Sequence, residues 1–266
     1  MAHAAIAAPG TPALQRARQA WEDGELDQAE HAYQEALEKG GLDRAATLEC
    51  FVHLGAARSV LGNRTGALTA FRMALLVDNA FTVPPEAGKK AVAMAEAARR
   101  QPNRVGSLHL TLSVPSEAPS GEPFAVNAML DSAQATLVAR LSLHVNDKTT
   151  HQTFDHDEPA DAVVRFHVPA SMTLPNATLH IEVDALDTHD NQLALAEDHV
   201  GVRPTPIAET HHAKDELRQS HGGFWSTPWP YVIGGALLVA GGVTTGYFLL
   251  KPPDQVSIGP AQVQTH

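Results

Sequence analysis

Gly24 to Glu38, GELDQAEHAYQEALE, and Gly62 to Leu76, GNRTGALTAFRMALL, superpose without a gap, and their shared pattern decides how the N-terminal part of the chain is read. In each, a small residue, an aromatic ring and a second small residue recur at spacings of four and three: Ala29, Tyr33, Ala36, then Ala67, Phe71, Ala74. These spacings put the three side chains on one helical face. Alanine lets a neighbouring helix come close, and the ring fills the space between paired helices. A repeated helical hairpin follows, with Gly24 and Gly62 in the turns.

The helix before the second unit supplies Phe51, Leu54 and Gly55, the glycine being small enough for a tight crossing. The Gly-to-Gly period is 38 residues (62 − 24), so the connector around Gly40-Gly41-Leu42-Asp43 is expected to be long. After Val77-Asp78-Asn79, the segment Phe81-Thr82-Val83-Pro84-Pro85 reads as an extended break. EAGKKAVAMAEAARR then reads as one further helix, a terminal cap whose polar face is supplied by Lys89, Lys90, Arg99 and Arg100.

Phe51, Leu54-Gly55, Ala67, Phe71 and Ala74 together resemble the tetratricopeptide repeat family, whose motif has an aromatic, a Leu-Gly pair and a small-aromatic-small triplet. The first unit keeps only its second half, with Ala13, Arg16 and Ala17 where the aromatic and the Leu-Gly pair would stand. The resemblance implies a concave surface that grips a protein or peptide partner, and its matching offsets fall on Leu14, Arg18, Trp21, Val52, Ala56 and Ser59. The alternative is that two repeats and a cap serve only as a spacer.

From Ser107 the period changes to two. Alternation runs through LHLTLSV, FAVNAML, TLVARLSLHV, VVRFHV, TLHIEV and QLALAEDHV, which gives six or seven short strands separated by turn-rich stretches such as 115–121, 155–161 and 187–191. One wet and one dry face per strand calls for two packed antiparallel sheets, so the fold class expected is multidomain: an all-α helical repeat, then an all-β sandwich. The β part resembles an immunoglobulin-like module in strand count and size and in the Gly121-Glu122-Pro123 lead-in, without the cysteine pair or core tryptophan of that family.

Charge divides the chain in the same place. Residues 11–104 carry 12 acidic and 12 basic side chains, whereas 105–203 carry 14 and 4, a net of −10. A boundary is therefore expected near Gln101-Pro102-Asn103, with a disordered N-terminus at 1–10, a helical domain at 11–101 and a β domain at 105–203. Eight histidines fall in the β part, and two patches mix them with carboxylates: His151, Asp155, His156, Asp157, and Asp184, Asp187, His189, Asp190. Such ligands suit zinc or calcium, yet the mid-strand His109, His144, His167 and His180 read as outward residues of the alternation and 187–191 as a hairpin turn, so no metal or other cofactor is assigned. Protonating these rings near a histidine pKa of about 6.5 would cancel much of the negative charge and make contacts of this domain pH-sensitive.

Residues 204–228 read as a tether rich in Pro, His and Gly, and 251–266 as a disordered tail. Between them Tyr231 to Leu250 is free of charge for 20 residues, long enough at about 1.5 Å per residue to cross a hydrocarbon core of roughly 30 Å. Trp225, Trp229 and Tyr231 at one end and Tyr247 at the other are placed as interfacial aromatics, so a single transmembrane helix over 229–250 is expected. Ala236, Ala240, Gly242 and Gly246 form small-residue spacings that permit lateral packing and a homo-oligomer. The placement favoured is soluble domains on the periplasmic side of a bacterial envelope. That requires an export signal, and Ala2-His3-Ala4 resembles the small-residue end of one.

A net charge of −11 without a basic cluster argues against nucleic acid. Cys50 is the single cysteine, which excludes an intrachain disulfide and a multi-cysteine metal centre, and it reads as a small apolar residue inside a helix. The chain has no nucleophile elbow, phosphate-binding glycine loop or HExxH motif. The reading is a non-enzymatic, membrane-anchored scaffold whose helical module binds a protein partner. The alternative is a receptor-like binder whose acidic β domain captures a ligand or cation.

Overall fold

The computed structural model describes residues 8–100 and 106–204. Five helices come first: α1 (Thr11–Glu22), α2 (Leu26–Lys39), α3 (Arg44–Leu61), α4 (Arg64–Val77) and, after a 3-10 turn at Pro85–Ala87, α5 (Gly88–Arg99). Local signals set their ends. The Asp43 side chain accepts from the Ala46 N–H and that of Asn63 from the Gly66 N–H, each satisfying a donor that the first helical turn leaves open. Gly62 ends α3 in the left-handed region at φ 89°, a conformation that costs a residue with a Cβ.

The small-aromatic-small triplets sit at the centre of the helical core as their spacing requires. Ala29, Ala36, Ala67, Phe71 and Ala74 have no exposed surface and Tyr33 almost none. Gly55 lies against the Phe71 ring so closely that an added Cβ would come within 2.9 Å of it. The Phe71 ring in turn stacks on Phe81 at 5.9 Å between centroids, and the Arg99 guanidinium covers the other ring at 4.6 Å. The expected cap helix is thus locked to the array by the extended break that precedes it.

The β-rich region has eight strands: β1 (Thr111–Ser113), β2 (Glu117–Pro119), β3 (Phe124–Met129), β4 (Arg140–Asp147), β5 (Thr153–Pro159), β6 (Val163–Val168), β7 (Thr178–Leu186) and β8 (Gln192–Arg203). They form a three-stranded sheet, β1-β3-β6, and a five-stranded sheet, β2-β8-β7-β4-β5. Leu141, Leu143 and Val145 of β4 and Leu179, Ile181 and Val183 of β7 point into a core that Val126, Val164, Phe166 and Val168 of the smaller sheet also fill. Each such side chain contributes about 1.5–3 kcal/mol by leaving water, and a one-residue slip would turn a whole strand's set outward, so the register is firmly held.

Three expectations change here. The stretches 115–121 and 155–161, expected as turns, contain β2 and most of β5. Both are edge strands with few inward residues, so they give little alternation. The sheets are not wholly antiparallel, because β2 runs parallel to β8. A short helix, α6 (Ser132–Ala135), interrupts the strands; Asp131 caps it and its buried Gln134 accepts from the His109 N–H.

The described helical and β regions belong to one compact unit. The α2–α3 connector touches the β7–β8 turn: Gly41 N–H donates to the His189 carbonyl at 3.1 Å and Gln192 N–H to the Leu42 carbonyl at 2.9 Å. Leu108 N–H donates to the Leu76 carbonyl at 2.7 Å on the other side of the charge boundary. No helix among the described residues is long and apolar enough to cross a membrane. The run 231–250 with Ala236, Ala240, Gly242 and Gly246, the tether, the tail and residues 1–7 lie outside the described residues.

Candidate functional site

Two surfaces carry chemistry, one on each region. The first follows from the helical array. Trp21 closes α1 and packs edge-on against His53 of α3 at 4.8 Å, and that imidazole stacks on Tyr33 at 5.1 Å. Beyond Trp21 lies a groove of about 500 Å³ lined by Trp21, Glu22, Leu26, Val60, Glu86 and Ala87. Its floor is apolar, with Val60 38% exposed, and its two flanking carboxylates are Glu22 and Glu86.

Of the six partner-contact residues expected from the sequence, the structure places four inside the array. Leu14, Val52 and Ala56 are buried, and the buried Ser59 hydroxyl donates to the Gly55 carbonyl at 2.7 Å. Arg18 keeps half its side-chain surface but forms a two-pronged pair with Glu49 of α3, at 2.7 and 2.6 Å, which holds its guanidinium protonated and committed. Trp21 alone of the six lines the groove. Leu26, Val60 and Glu86, which the repeat offsets do not reach, line it as well; Glu86 comes from the 3-10 turn at Pro85–Ala87, which packs on α3 and α5, a placement that no local pattern announces.

The second surface is the outer face of the five-stranded sheet. Strand pairing places Asp155, His144, Glu182 and Glu197 in one row across β5, β4, β7 and β8. The adjoining row brings His180 beside His199, and the row on the other side aligns Asp157, Ser142 and Asp184. His144 Nδ1 lies 2.7 Å from Asp155 Oδ1, and its Nε2 3.7 Å from Asp184 Oδ2. His180 and His199 face each other Nδ1 to Nδ1 at 3.3 Å, while His180 Nε2 is 3.7 Å from Glu182 Oε2. Asp184 is only 13% exposed and its carboxyl is raised above the ordinary range, first by burial, although Gln192 donating at 2.6 Å and the nearby His144 oppose the shift.

The two expected His-carboxylate patches are therefore rearranged. Alternation sends Asp155 and Asp157 to the outer face with Ser142 and His144, while His156 turns the opposite way and meets Phe166 edge-on. In the second patch only Asp184 joins the outer face. Asp187 instead accepts the His189 and Asn191 N–H groups at 2.7 and 2.9 Å within the turn, and Asp190 pairs with Arg140 at 2.9 Å. His151 occupies the β4–β5 turn at φ 58°.

Ser142, His144 and Asp155 have the connectivity of a hydrolytic triad, with Ser142 Oγ 3.2 Å from His144 Nε2. Ser142 Oγ also donates to Asp157 of the neighbouring strand, and the serine is 5% exposed.

No protein-family model matches this chain, and no curated protein matches it. The assignment to tetratricopeptide and immunoglobulin-like families is corrected accordingly, and the expected membrane-spanning run falls outside the described residues. What stands is an N-terminal helical region followed by a β-rich region of two sheets, with no spanning helix among the described residues.

Proposed function

We propose that this chain is a non-enzymatic interaction protein whose helical region holds a protein partner in the Trp21 groove, and that the uncharged run 231–250 keeps it at a membrane. The observation that carries this reading is the groove itself. It is an open surface groove of about 500 Å³ rather than an enclosed cavity. Its tryptophan offers the kind of rigid apolar surface on which binding energy concentrates. Glu22 and Glu86 favour a segment in which an apolar anchor is flanked by Lys or Arg.

The test is affinity capture with the full chain. Trp21→Ala together with Glu86→Lys should lower retention of the partner by roughly thirtyfold, the scale of a lost hot-spot residue. Val60→Asp, at a half-exposed position, should do the same without disturbing the Trp21–His53 contact. Equal recovery of the same proteins by all three chains rejects the groove. Complete release into the soluble fraction on alkaline washing rejects the membrane placement.

A further inference from the structure

Glu182 and Glu197 are direct neighbours across the β7–β8 pair, and each has a histidine two residues away whose partner is the other histidine, His180 opposite His199. Like charges placed directly opposite on adjacent strands repel. The usual remedy is a lysine or arginine, but among the described residues neither carboxylate has one as an ion-pair partner. The ion-pair contact of Glu182 is with His180 Nε2. The surrounding region has a net charge of −10, which deepens the negative potential at this point instead of relieving it.

We propose that His180 Nε2 and the carboxylates of Glu182 and Glu197 bind one zinc-class divalent cation, with His199 orienting His180. This binding function is separate from the helical groove and does not depend on it. The ligand atoms of His180, Glu182 and Glu197 already lie within 4.8 Å of one another. Zinc–nitrogen and zinc–oxygen bonds of about 2.0–2.2 Å put tetrahedral ligands roughly 3.4 Å apart, so the widest-spaced donors close by at most about 1.4 Å. Exposed Glu197 and half-exposed Glu182, 32% accessible, can supply that by changing rotamer.

The second histidine has a defined part in this arrangement. One imidazole cannot give both nitrogens to the same ion. His180 Nδ1 is turned to His199 Nδ1 at 3.3 Å, a distance at which one ring donates and the other accepts. A proton on His180 Nδ1 leaves the lone pair on Nε2, the nitrogen that lies 3.7 Å from Glu182 Oε2. His199 thereby takes the place of the outer hydrogen-bond partner that fixes the tautomer of a metal-bound histidine.

Donor chemistry selects the metal. One imidazole and two carboxylates suit a borderline first-row cation such as zinc and leave a position for water. Calcium requires six to eight oxygen ligands, more than this face provides.

The experiment is calorimetric titration of the EDTA-treated, dialysed full chain with zinc chloride, and in parallel with calcium and magnesium chloride. Zinc should bind at this face, with affinity at least tenfold lower in His180→Gln and in Glu197→Gln, and about tenfold or more lower in His199→Gln. His167→Gln, on the exposed side of β6, should leave it within about twofold. Metal-free Glu197→Gln should melt higher than the parent, because the carboxylate repulsion is gone, and should lose the rise in Tm that zinc gives the parent. Unchanged zinc affinity in both His180→Gln and Glu197→Gln overturns the site. So does tighter binding of calcium than zinc, or a lower metal-free Tm for Glu197→Gln.

Discussion

Asn191 joins the β7–β8 turn to the helical array: its Nδ2 donates to the carbonyl of Leu37, in the last turn of α2, at 2.8 Å, across 154 positions of sequence. The side chain is fully buried. Its Oδ1 accepts from the Leu42 N–H at 3.3 Å and the same Nδ2 also reaches Asp187 at 2.9 Å.

Removing that amide leaves the Leu37 carbonyl and the Leu42 N–H without their partner in a dry place, at about 1–3 kcal/mol for each unsatisfied group. Asn191→Ala should therefore destabilise the protein by about 2–4 kcal/mol in urea unfolding. A loss below 1 kcal/mol would show that water replaces the amide.

Gly40 makes the same seam depend on shape. A Cβ there would stand 1.6 Å from the His189 carbonyl oxygen, and the residue has φ 73° and ψ −166°, a combination reached readily only by glycine. Gly40→Ala should cost about 3 kcal/mol or more, by strain and by breaking the Gly41 N–H to His189 carbonyl bond. Amide exchange should quicken at Gly41 and at Gln192, which also donates across the seam.

Cys50 has no exposed surface, and burial, aided by the Glu49 charge, pushes its thiol up to about 12. The native thiol should resist alkylation at pH 8 and react only on unfolding. In the unfolded chain the thiol ionises near its ordinary value of 9, so the unfolded state loses the proton first and stability falls as pH rises from 9 toward 12. The slope from this group is at most about 1.4 kcal/mol per pH unit. Cys50→Ala should flatten the fall between pH 9 and 10 in urea midpoints, above which Tyr33, also shifted upward by burial, contributes with the same sign.

Asp184 gives a test of the same sign at acid pH. Its folded pKa is raised, so the native state binds that proton more tightly than the unfolded state does and ionisation at neutral pH counts against folding. Asp184→Asn can still accept from Gln192 and carries no charge. It should be more stable than the parent at pH 7, with the difference shrinking as the pH falls through the folded value toward the ordinary carboxyl range. A constant difference from pH 7 to 4 in thermal melts would place its origin elsewhere.

Much of the helical region is legible in local pattern. The triplets around Tyr33 and Phe71, the contact of Gly55 with Phe71, and the turns at Gly24 and Gly62 all follow from which side chains share a helix face and which positions lack a Cβ. Six strands are legible for the same reason, through alternation at period two. The edge strands β2 and β5 are not, because an edge strand is bonded on one side and carries few buried residues. Less is legible about the contact surface expected from the sequence: offsets on α1 and α3 pick out a face of each helix, but whether that face meets solvent or a neighbouring helix depends on how the hairpins stack, and Leu14, Val52 and Ala56 are buried by that stacking.

Periodicity, composition and turn chemistry act over a few residues, and they alone determined that helices precede strands, where the charge turns from balanced to acidic and which side chains share one face of a helix or strand. Pairing register and the seam around Asn191 join residues far apart in the chain, and only the tertiary structure decided them. The row Asp155, His144, Glu182 and Glu197 is drawn from four strands, and the pairing of His180 with His199 depends on the register of β7 against β8. A register is a property of two segments together, held by the burial of their inward residues, and so neither segment read alone contains it.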